Sequence, residues 1–318
     1  MDEQTAPVIC VQNLSKRFGN ITAVDGVSFD VRNGEMFGFL GPNGAGKTTT
    51  VRMLIGVLEP TDGSAQIEDH DIRTEPLLSR AHLGIVPEEA NVYLDLSIWR
   101  NVMLMAELHG VPKQQRTRNA QRLLEQLDLA DRKRHKARTL SKGLRQRLML
   151  CSALVSEPEI LFLDEPTSGL DVASARLIRR IVRQLNDDGL TVFLTTHNMD
   201  EAEQMCSRVA IINQGAIAAI DTPDRLRLAM QSSQYLEAAF DSAPDDLPEL
   251  ESLPGVLRTH RDGNSIRLYG EQPGRLAKDL VRLADRKGLD IRHICTRKPS
   301  LEEVFLYFTQ SGTEEDTE

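Results

Sequence analysis

The nine residues 41–49, with the sequence GPNGAGKTT, constrain the fold of this chain more than any other feature. They fit the pattern G-x-x-x-x-G-K-[ST] and follow an apolar run, Met36–Leu40, that is typical of a buried strand. Glycines let backbone N–H groups turn toward phosphate oxygens, and the helix expected next directs its positive end at the same anion. The segment therefore predicts a strand, a phosphate-binding loop and a helix in succession.

Individual residues of this loop have candidate roles in binding a nucleoside triphosphate. Lys47 can bridge the β- and γ-phosphates, and the Thr48 hydroxyl can ligate Mg²⁺. A glycine turn without a ligand is the alternative, but the pattern arises by chance in only about one chain in a hundred of this length. We therefore expect nucleotide contacts from the whole loop: Gly41, Pro42, Asn43, Gly44, Ala45, Gly46, Lys47, Thr48 and Thr49.

Length and composition restrict the class of protein. With 318 residues, 40% of them hydrophobic, the chain is long enough for a large and a small domain. It has no apolar run of membrane-spanning length and no signal-peptide pattern, so we expect a soluble protein. Its four cysteines are far apart in sequence, which disfavours disulfides and zinc and fits a reducing cytosol. A net charge of −9 argues against general nucleic-acid binding.

Positive charge is concentrated in the middle of the chain. Between Lys113 and Arg147 there are twelve Lys and Arg residues against three acids, a local excess of nine positive charges in an acidic chain. A solvated helix face is the favoured interpretation. Proximity to ATP phosphates or to anionic lipid headgroups is the alternative.

Hydrophobic patterns predict an α/β fold for residues 1–232. From Val8 to Val31, alternating residues and glycine turns at Gly19, Gly26 and Gly34 indicate short antiparallel strands. A helix is expected from Thr48 to about Val57, and residues 88–157 favour helices that form a helical subdomain. Elsewhere apolar strands alternate with helical patterns, which predicts a parallel sheet covered on both faces. The strands are Ile160–Leu163, Thr191–Thr195 and Val209–Ile212, and one helix carries Leu177, Ile178, Ile181, Val182 and Leu185.

A second, smaller α+β domain is expected over residues 233–312. Its final helix should bury one apolar face. The tail, residues 313–318, has four acids in six residues and is expected to be disordered. The predicted elements are a strand at Tyr235–Phe240, a strand pair turning at residues 262–264, a helix near Gly274–Lys287, a strand at Asp290–Thr296, and the last helix with Leu301, Val304, Phe305 and Phe308 on one face.

Two adjacent acids end one of the apolar strands. Asp164 and Glu165 follow Leu161–Leu163, and on a nucleotide-binding sheet both carboxylates would lie at its carboxyl edge. Asp164 is suited to hold Mg²⁺ through water, and Glu165 to accept a proton from an attacking water. An acidic pair of this kind is only moderately specific alone.

Further motifs surround this pair in a fixed order. LSKGL at residues 140–144 precedes the strand, SGLD at 168–171 follows it, and TTH at 195–197 follows the next strand. Together with the phosphate loop, they make the chain resemble the ATP-binding subunits of ABC transporters over residues 8–230. The resemblance implies a P-loop NTPase core, with an antiparallel β subdomain and the helical subdomain. It also implies ATP and Mg²⁺ as cofactors, and ATP hydrolysis.

The resemblance assigns catalysis to Lys47, Glu165 and His197, with His197 contacting the γ-phosphate. It places Phe18 against the adenine, where stacking tolerates Phe in place of the more usual Tyr. From burial statistics alone, Phe18 would instead be interpreted as a core aromatic. Asp171 is also expected to bind the nucleotide.

The signature segment departs from the family pattern Leu-Ser-Gly-Gly-Gln. Ser141 and Gly143, which would face the ATP of a sister subunit, are kept, but Lys142 and Leu144 replace a glycine and the glutamine. A lysine forced to positive φ would cost about 1 kcal/mol. We therefore expect an ordinary backbone conformation at Lys142, whose charge could also attract the sister's phosphate.

The loop before the helical subdomain carries Glu88 where most relatives have glutamine. A carboxylate still offers oxygens to Mg²⁺, but it adds negative charge beside the phosphates. The expected metal ligands are therefore Thr48, Asp164 and Glu88.

Both departures occur in ATPases resembling those of drug-resistance, sodium and polysaccharide exporters, whose chains also end in a motif like PSLEEVF at residues 299–305. This resemblance implies an ATPase at the cytoplasmic face of the membrane that powers a separate integral-membrane permease, paired with a second, identical ATP-binding subunit. The groove near residues 88–101 would receive a permease helix. The transported compound is not encoded in this chain.

Other functions are less favoured. A non-transport ABC ATPase acting on ribosomes or DNA would be expected to carry two ATPase units, zinc-site cysteines or a coiled-coil insert, and none is visible in the sequence. The C-terminal domain could bind a regulator, but no ligand motif supports this, and an appendage that stabilises the dimer or contacts the permease is favoured.

Overall fold

The computed structural model describes residues 7–228, 235–241, 250–270, 272–297 and 299–310. The chain divides into two compact units, one ending at Asp221 and the other beginning at Thr222. The sequence placed the domain boundary later, at residue 232. The earlier division follows from helix α8 (Pro223–Leu228), which contacts the last helix of the second unit and whose Arg227 Nε donates to the Pro299 carbonyl over 2.9 Å.

An antiparallel sheet of four strands opens the first unit, in the order β2-β1-β4-β5. Its two long strands have twelve residues each, so the prediction of short strands in this region is wrong. Gly26, expected at a turn, lies inside β2 at a register shift, where its N–H donates to Ser15 Oγ over 2.9 Å. The strands are β1 (Pro7–Phe18), β2 (Ile21–Arg32), β4 (Asp62–Ile67) and β5 (His70–Asp71).

The central sheet has six strands in the order β10-β9-β3-β8-β7-β6, and all neighbours are parallel except the β9–β10 pair. This confirms the predicted parallel sheet. The carboxyl ends of β3, β7 and β8 lie side by side at one edge. The strands are β3 (Met36–Leu40), β6 (Leu83–Val86), β7 (Ile160–Asp164), β8 (Thr191–Thr196), β9 (Arg208–Asn213) and β10 (Ala216–Asp221).

One apolar core joins the two sheets. Its centre is a cluster of phenylalanine rings whose contacting centroids are 5.1 to 5.9 Å apart. Stacked and tilted ring pairs of this kind add to the free energy of burial. Phe29 comes from β2, whereas the others come from the central sheet: Phe37, Phe39, Phe162 and Phe193.

Helices cover the central sheet. The predicted apolar face of α6 is confirmed, with Leu177, Ile178 and Ile181 buried. The segment expected to be mostly helical, residues 88–157, holds three α-helices and two 3₁₀ turns at residues 130–132 and 137–139, with irregular segments between them. The helices are α1 (Lys47–Leu54), α2 (Pro76–Ala81), α3 (Ile98–Leu108), α4 (Lys113–Gln126), α5 (Lys142–Leu154), α6 (Val172–Asp187) and α7 (Met199–Met205).

The second unit has a four-stranded antiparallel sheet in the order β12-β13-β11-β14, and helix α9 (Pro273–Lys287) packs on it. The predicted strands, the hairpin at residues 262–264 and both helices are present within a residue or two of the expected bounds. The acidic tail lies outside the described residues. The remaining elements are β11 (Tyr235–Phe240), β12 (Arg258–Asp262), β13 (Ser265–Tyr269), β14 (Ile291–Arg297) and α10 (Leu301–Gln310). Among the described residues, no helix is both long and apolar enough to cross a bilayer.

Candidate functional site

The phosphate loop connects β3 to α1 with a backbone that requires glycine at two places. A Cβ on Gly41 would lie 2.3 Å from the Ile212 carbonyl oxygen. Gly46, the N-cap of α1, has φ 109°, and a Cβ there would lie 2.7 Å from the Ala23 carbonyl oxygen. Because both obstacles are backbone atoms, side chains at these positions would force the loop to move. The loop conformation is therefore set by these close approaches.

Lys47 holds its ammonium over this loop. Its Nζ donates to the carbonyl oxygens of Gly41, at 2.7 Å, and Pro42, at 3.1 Å. It also lies 3.2 Å from Glu165 Oε1, although that oxygen has no partner with hydrogen-bond geometry. We interpret the contact as an ion pair, since both side chains are buried and opposite charges attract strongly there. The cation is thus placed between the loop and the acidic strand end.

A pocket of about 270 Å³ opens beside this loop. Its lining combines backbone N–H groups at the start of α1 with one ammonium and two carboxylates, which suits a polyanion bound with a cation. Eight of its nine lining residues are predicted site residues. The lining consists of Ala23, Asn43, Gly44, Gly46, Lys47, Thr48, Thr49, Glu88 and Glu165.

The two acids at the end of β7 both bond Thr195, Asp164 through its carboxylate and Glu165 through its backbone N–H. Asp164 accepts hydrogen bonds from the Thr48 hydroxyl, at 3.4 Å, and from the Thr195 hydroxyl of β8. Glu165 has φ 50°, a left-handed conformation unusual for a non-glycine residue. Its N–H donates to the Thr195 carbonyl at 3.1 Å and also approaches the Thr195 hydroxyl at 3.2 Å. Neighbouring β8 therefore supports a strained backbone at this residue.

His197 lies beside Glu165. Its Nδ1 is 2.8 Å from Glu165 Oε2, and the imidazole is 49% exposed while the carboxylate is buried. A protonated Nδ1 donates to the carboxylate and leaves Nε2 for a ligand. The structure thus gathers the three predicted catalytic residues, Lys47, Glu165 and His197, around one carboxylate.

Glu88 and Phe18 are both exposed. Glu88 lines the pocket, as expected for a residue near the phosphates. Phe18 lies at the end of β1 with 48% of its surface exposed and its ring centroid 5.3 Å from Lys16 Nζ. It lies outside the pocket lining. Its exposure excludes the core role that burial statistics favoured, and its stacking on adenine stays a prediction.

The signature residues lie outside the pocket lining. Ser141 caps α5, where its hydroxyl accepts from Leu144 N at 3.4 Å. Lys142 is the first residue of α5 and so has an ordinary helical backbone, as predicted. A Cβ on Gly143 would lie 2.4 Å from Ser174 Oγ of α6, and one on Gly169 would lie 2.5 Å from Lys142 Nζ. The Lys142 side chain is therefore placed against the loop before α6 of its own chain.

Asp171 caps α6 in this structure. Its Oδ1 accepts from Ser174 N at 2.8 Å, and its Oδ2 accepts from Ser174 Oγ at the same distance. These bonds, the backbone one first, hold the pKa of the Asp171 carboxyl below its ordinary value. Asp171 also lies outside the pocket lining, so its contact with nucleotide stays a prediction.

Sequence reasoning gave no role to two residues that shape the site. Ala23 lines the pocket from β2, and nothing in the sequence signals this because its segment is remote from the loop. Thr195 bonds both acids of β7. Its place in the TTH motif was noted, but only the pairing of β7 with β8 brings its hydroxyl to the Asp164 carboxylate and to the Glu165 N–H.

The glycine-containing phosphate loop after β3, the paired acids at the end of β7 and the parallel sheet define a P-loop ATPase. The family model described as "ABC transporter" matches residues 24–168. Among solved structures, an ATP-binding subunit of an ABC transporter shares 29% identity with a TM-score of 0.65, over 70% of this chain and 92% of that one. A dimeric ATP-binding cassette bound to ADP and phosphate shares 25% identity with a TM-score of 0.62, over 67% of this chain and 98% of that one.

Curated relatives match along most of their length. The Nod factor export ATP-binding protein I of Ralstonia nicotianae is 35% identical over 96% of this chain and 94% of its own. The linearmycin resistance ATP-binding protein LnrL of Bacillus subtilis is 32% identical, over 94% and 97%. The daunorubicin/doxorubicin resistance ATP-binding protein DrrA of Streptomyces peucetius is 34% identical, over 97% and 94%. This chain belongs to the family of ABC transporter ATP-binding subunits, and its cassette is an ATPase.

Proposed function

We propose that this chain hydrolyses Mg-ATP in a homodimer at the cytoplasmic face of a membrane and thereby powers a separate permease that exports a hydrophobic or lipid-linked compound, a drug or an ion. The observation that carries the proposal is the cluster of Lys47, Glu165 and His197, in which Lys47 and Glu165 line the phosphate pocket and His197 contacts Glu165. Export is favoured because the relatives above are named for export or for drug resistance.

Magnesium fits the donors at this site. Thr48 Oγ1 and Asp164 Oδ1 are 3.4 Å apart, and Glu88 lines the same pocket. Among the described residues no three His, Cys, Asp or Glu side chains converge. Such a sparse set of oxygens suits Mg²⁺, which keeps waters and takes ligands from the substrate phosphates. When bound, the ion would neutralise charge developing on the transferred phosphoryl group.

The side chains can divide the work of hydrolysis. Lys47 stabilises the β- and γ-phosphates, Glu165 accepts a proton from the attacking water, and His197 orients Glu165 and contacts the γ-phosphate. The phosphate must compete with Glu165 for the Lys47 ammonium, which is now 3.2 Å from that carboxylate. Nucleotide binding would therefore release Glu165 from its ion pair and prepare it to act as a base.

A second subunit would supply the signature. Ser141 and the first N–H groups of α5 lie outside the pocket of their own chain, yet a helix N-terminus of this kind suits an anion. Two chains closing head-to-tail on two ATP molecules would bring each signature to the partner's γ-phosphate. Closure would then be the step that produces work.

An apolar cavity of about 150 Å³ in the first unit offers a place for the permease. It lies between β6 and helices α3 and α5, and Asn101 holds its wall by bonding the N–H and the carbonyl of Tyr93. Because the walls are apolar, a cytoplasmic helix of the permease could bury hydrophobic side chains there. The cavity is lined by Leu83, Gly84, Ile85, Asn91, Val92, Tyr93, Asn101, Met105, His109, Met149, Ser152 and Ala153.

Affinity purification of tagged Glu165→Gln from detergent-solubilised membranes of its own host, with Mg-ATP present, tests this proposal. Slow hydrolysis should hold the closed complex together, so a polytopic membrane protein is expected to co-purify. Lys47→Ala, with weakened ATP retention, is the matched control and should recover less of it. Recovery of ribosomal or DNA-bound proteins instead would favour the alternative, a non-transport ABC ATPase.

A further inference from the structure

Glu201 is a buried carboxylate to which the mechanism above gives no role. It lies in α7, directly after the His197 segment, and only 1% of its surface is exposed. No Lys, Arg or His of the described residues forms an ion pair with it. Burial of a charge without a cation is unfavourable unless hydrogen bonds compensate. The partners of this carboxylate therefore show what it holds in place.

Each oxygen of Glu201 accepts one threonine hydroxyl. Oε1 accepts from Thr167 Oγ1 at 2.7 Å, and Oε2 accepts from Thr196 Oγ1 at 2.9 Å. Glu201 is fixed in turn by its own N–H, which donates to Asn198 Oδ1 at 3.1 Å. Both hydroxyl distances lie in the ordinary range of O–H···O hydrogen bonds. The carboxylate thus joins two segments that come from different strands.

The two threonines belong to the segments that carry the reacting groups. Thr167 is two residues after Glu165, in a turn closed by Ser168 N donating to the Glu165 carbonyl at 3.1 Å. Thr196 immediately precedes His197, and its hydroxyl also accepts from Asn198 N at 3.0 Å. Glu201 therefore links the segment that carries Glu165 to the segment that carries His197, whose side chains are 2.8 Å apart.

We propose that Glu201 is a positioning residue for ATP hydrolysis, which sets the distance and orientation between Glu165 and His197 through Thr167 and Thr196. Glu165 has a left-handed backbone that its surroundings must maintain. A misplacement of about 1 Å can lower a reaction rate about a hundredfold, so the hydrogen bonds of Glu201 to Thr167 and Thr196 should affect kcat. None of these three residues lines the phosphate pocket, so ATP binding should be unchanged.

Isosteric substitutions at Thr167 and Thr196, made in the full chain and assayed with Mg-ATP, test the two hydrogen bonds to Glu201. Thr167→Val and Thr196→Val each remove one hydroxyl with little change of shape, and Thr167→Ser and Thr196→Ser restore it. We expect each valine variant to lower kcat at least tenfold with KM for ATP within twofold of the wild type, and the serine variants to keep most of kcat. Glu201→Gln should fall between them, because it retains only one acceptor oxygen.

Two controls distinguish a positioning role of Glu201 and its threonine partners from a role in protein stability alone. Glu35→Gln alters another buried carboxylate, one that bonds Arg32 N and Arg208 away from the site, and should lower stability without a selective loss of kcat. In chains that already carry Glu165→Gln, adding Thr167→Val should change residual hydrolysis less than twofold, because the hydrogen bond between Thr167 and Glu201 acts by positioning Glu165. A further tenfold loss in that background would overturn the proposal.

The inference rests on the proposed roles of Glu165 and His197, and the same experiment distinguishes the two failures. If Glu165→Gln hydrolyses ATP normally, the proposed function of the site is wrong. If Glu165→Gln is inactive while folded Thr167→Val and Glu201→Gln keep kcat within twofold of the wild type, only the positioning role is wrong. Thermal melting of each variant establishes folding, and the threonine variants decide the matter if Glu201→Gln does not fold.

Discussion

The phosphate loop and the signature segment belong to the same unit of the chain but differ in how complete they are. Around the loop, Lys47 already contacts two loop carbonyls and Glu165, and eight predicted site residues line one pocket. The signature residues Ser141 and Gly143 lie at the start of α5, with Gly143 packed closely against Ser174 of α6, yet both lie outside that pocket. This difference is the one that the proposed head-to-tail dimer requires, in which one chain binds the nucleotide and its partner supplies the signature.

The largest effect is expected at the base. Glu165→Gln should retain ATP affinity while hydrolysis falls by about 10²–10⁴, the usual contribution of a general base. Nucleotide binding by equilibrium dialysis and phosphate release by the same preparation measure the two effects separately. Turnover close to that of the wild type would place the base elsewhere.

Loss of the lysine should act on binding instead. Lys47→Ala removes charge-assisted hydrogen bonds to phosphate, which are typically worth about 1.5–3 kcal/mol each, so ATP affinity should fall by at least tenfold. Titration with a fluorescent ATP analogue checks this, with thermal melting as the control for folding. Unchanged affinity would count against the assigned loop.

Two glycine changes sharpen the comparison directly. In Gly41→Ala the new Cβ meets the Ile212 carbonyl at 2.3 Å, so the loop must shift and nucleotide binding by the single chain should be lost. In Gly143→Ala the Cβ meets the Ser174 hydroxyl at 2.4 Å, so binding should persist while ATP-dependent dimerisation and hydrolysis are nearly lost. Equal loss of nucleotide binding in both variants would remove the distinction between the two segments.

The smallest effect is expected at Asp171. Its lowered pKa means that the hydrogen-bonded carboxylate stabilises the folded state above its ordinary pKa, and that this contribution is lost as pH falls through the folded value. Asp171→Ala should lower Tm by a few degrees at neutral pH, and the difference from wild type should shrink only in the acid range. A difference that grows on acidification would contradict the assigned cap.

Much of this site could be predicted from the sequence because its signals are local. The strand, loop and helix around Lys47 follow from glycine spacing and an apolar run, and the acids at 164 and 165 follow from their place at a strand end. The family resemblance assigned Glu165 and His197 to one site, and they meet because β7 and β8 are neighbours. In the second unit, alternation and turn residues were sufficient to place each strand.

The remainder depends on contacts between distant segments. Gly26 is a residue type that favours turns, but in the structure it lies inside a long strand, at a register shift against β1. The boundary between the units was predicted at residue 232 instead of 221, because nothing in the sequence of helix α8 indicates the hydrogen bond from Arg227 to the Pro299 carbonyl. Likewise Glu201 has the pattern of an ordinary acid in the first turn of a helix, and only the fold shows that it is buried between two threonines.

Subunit complementation tests the central claim most directly, that one chain binds the nucleotide and its partner closes the site. Glu165→Gln and Gly143→Ala should each be nearly inactive alone. In a mixed head-to-tail dimer both defects fall in one ATP site, and the other site is intact. Half of the dimers in an equal mixture are mixed and each has one intact site of two. Mixing should therefore restore about a quarter of wild-type hydrolysis. No recovery, with mixed dimers demonstrated by differential tags, would show that each signature acts within its own chain.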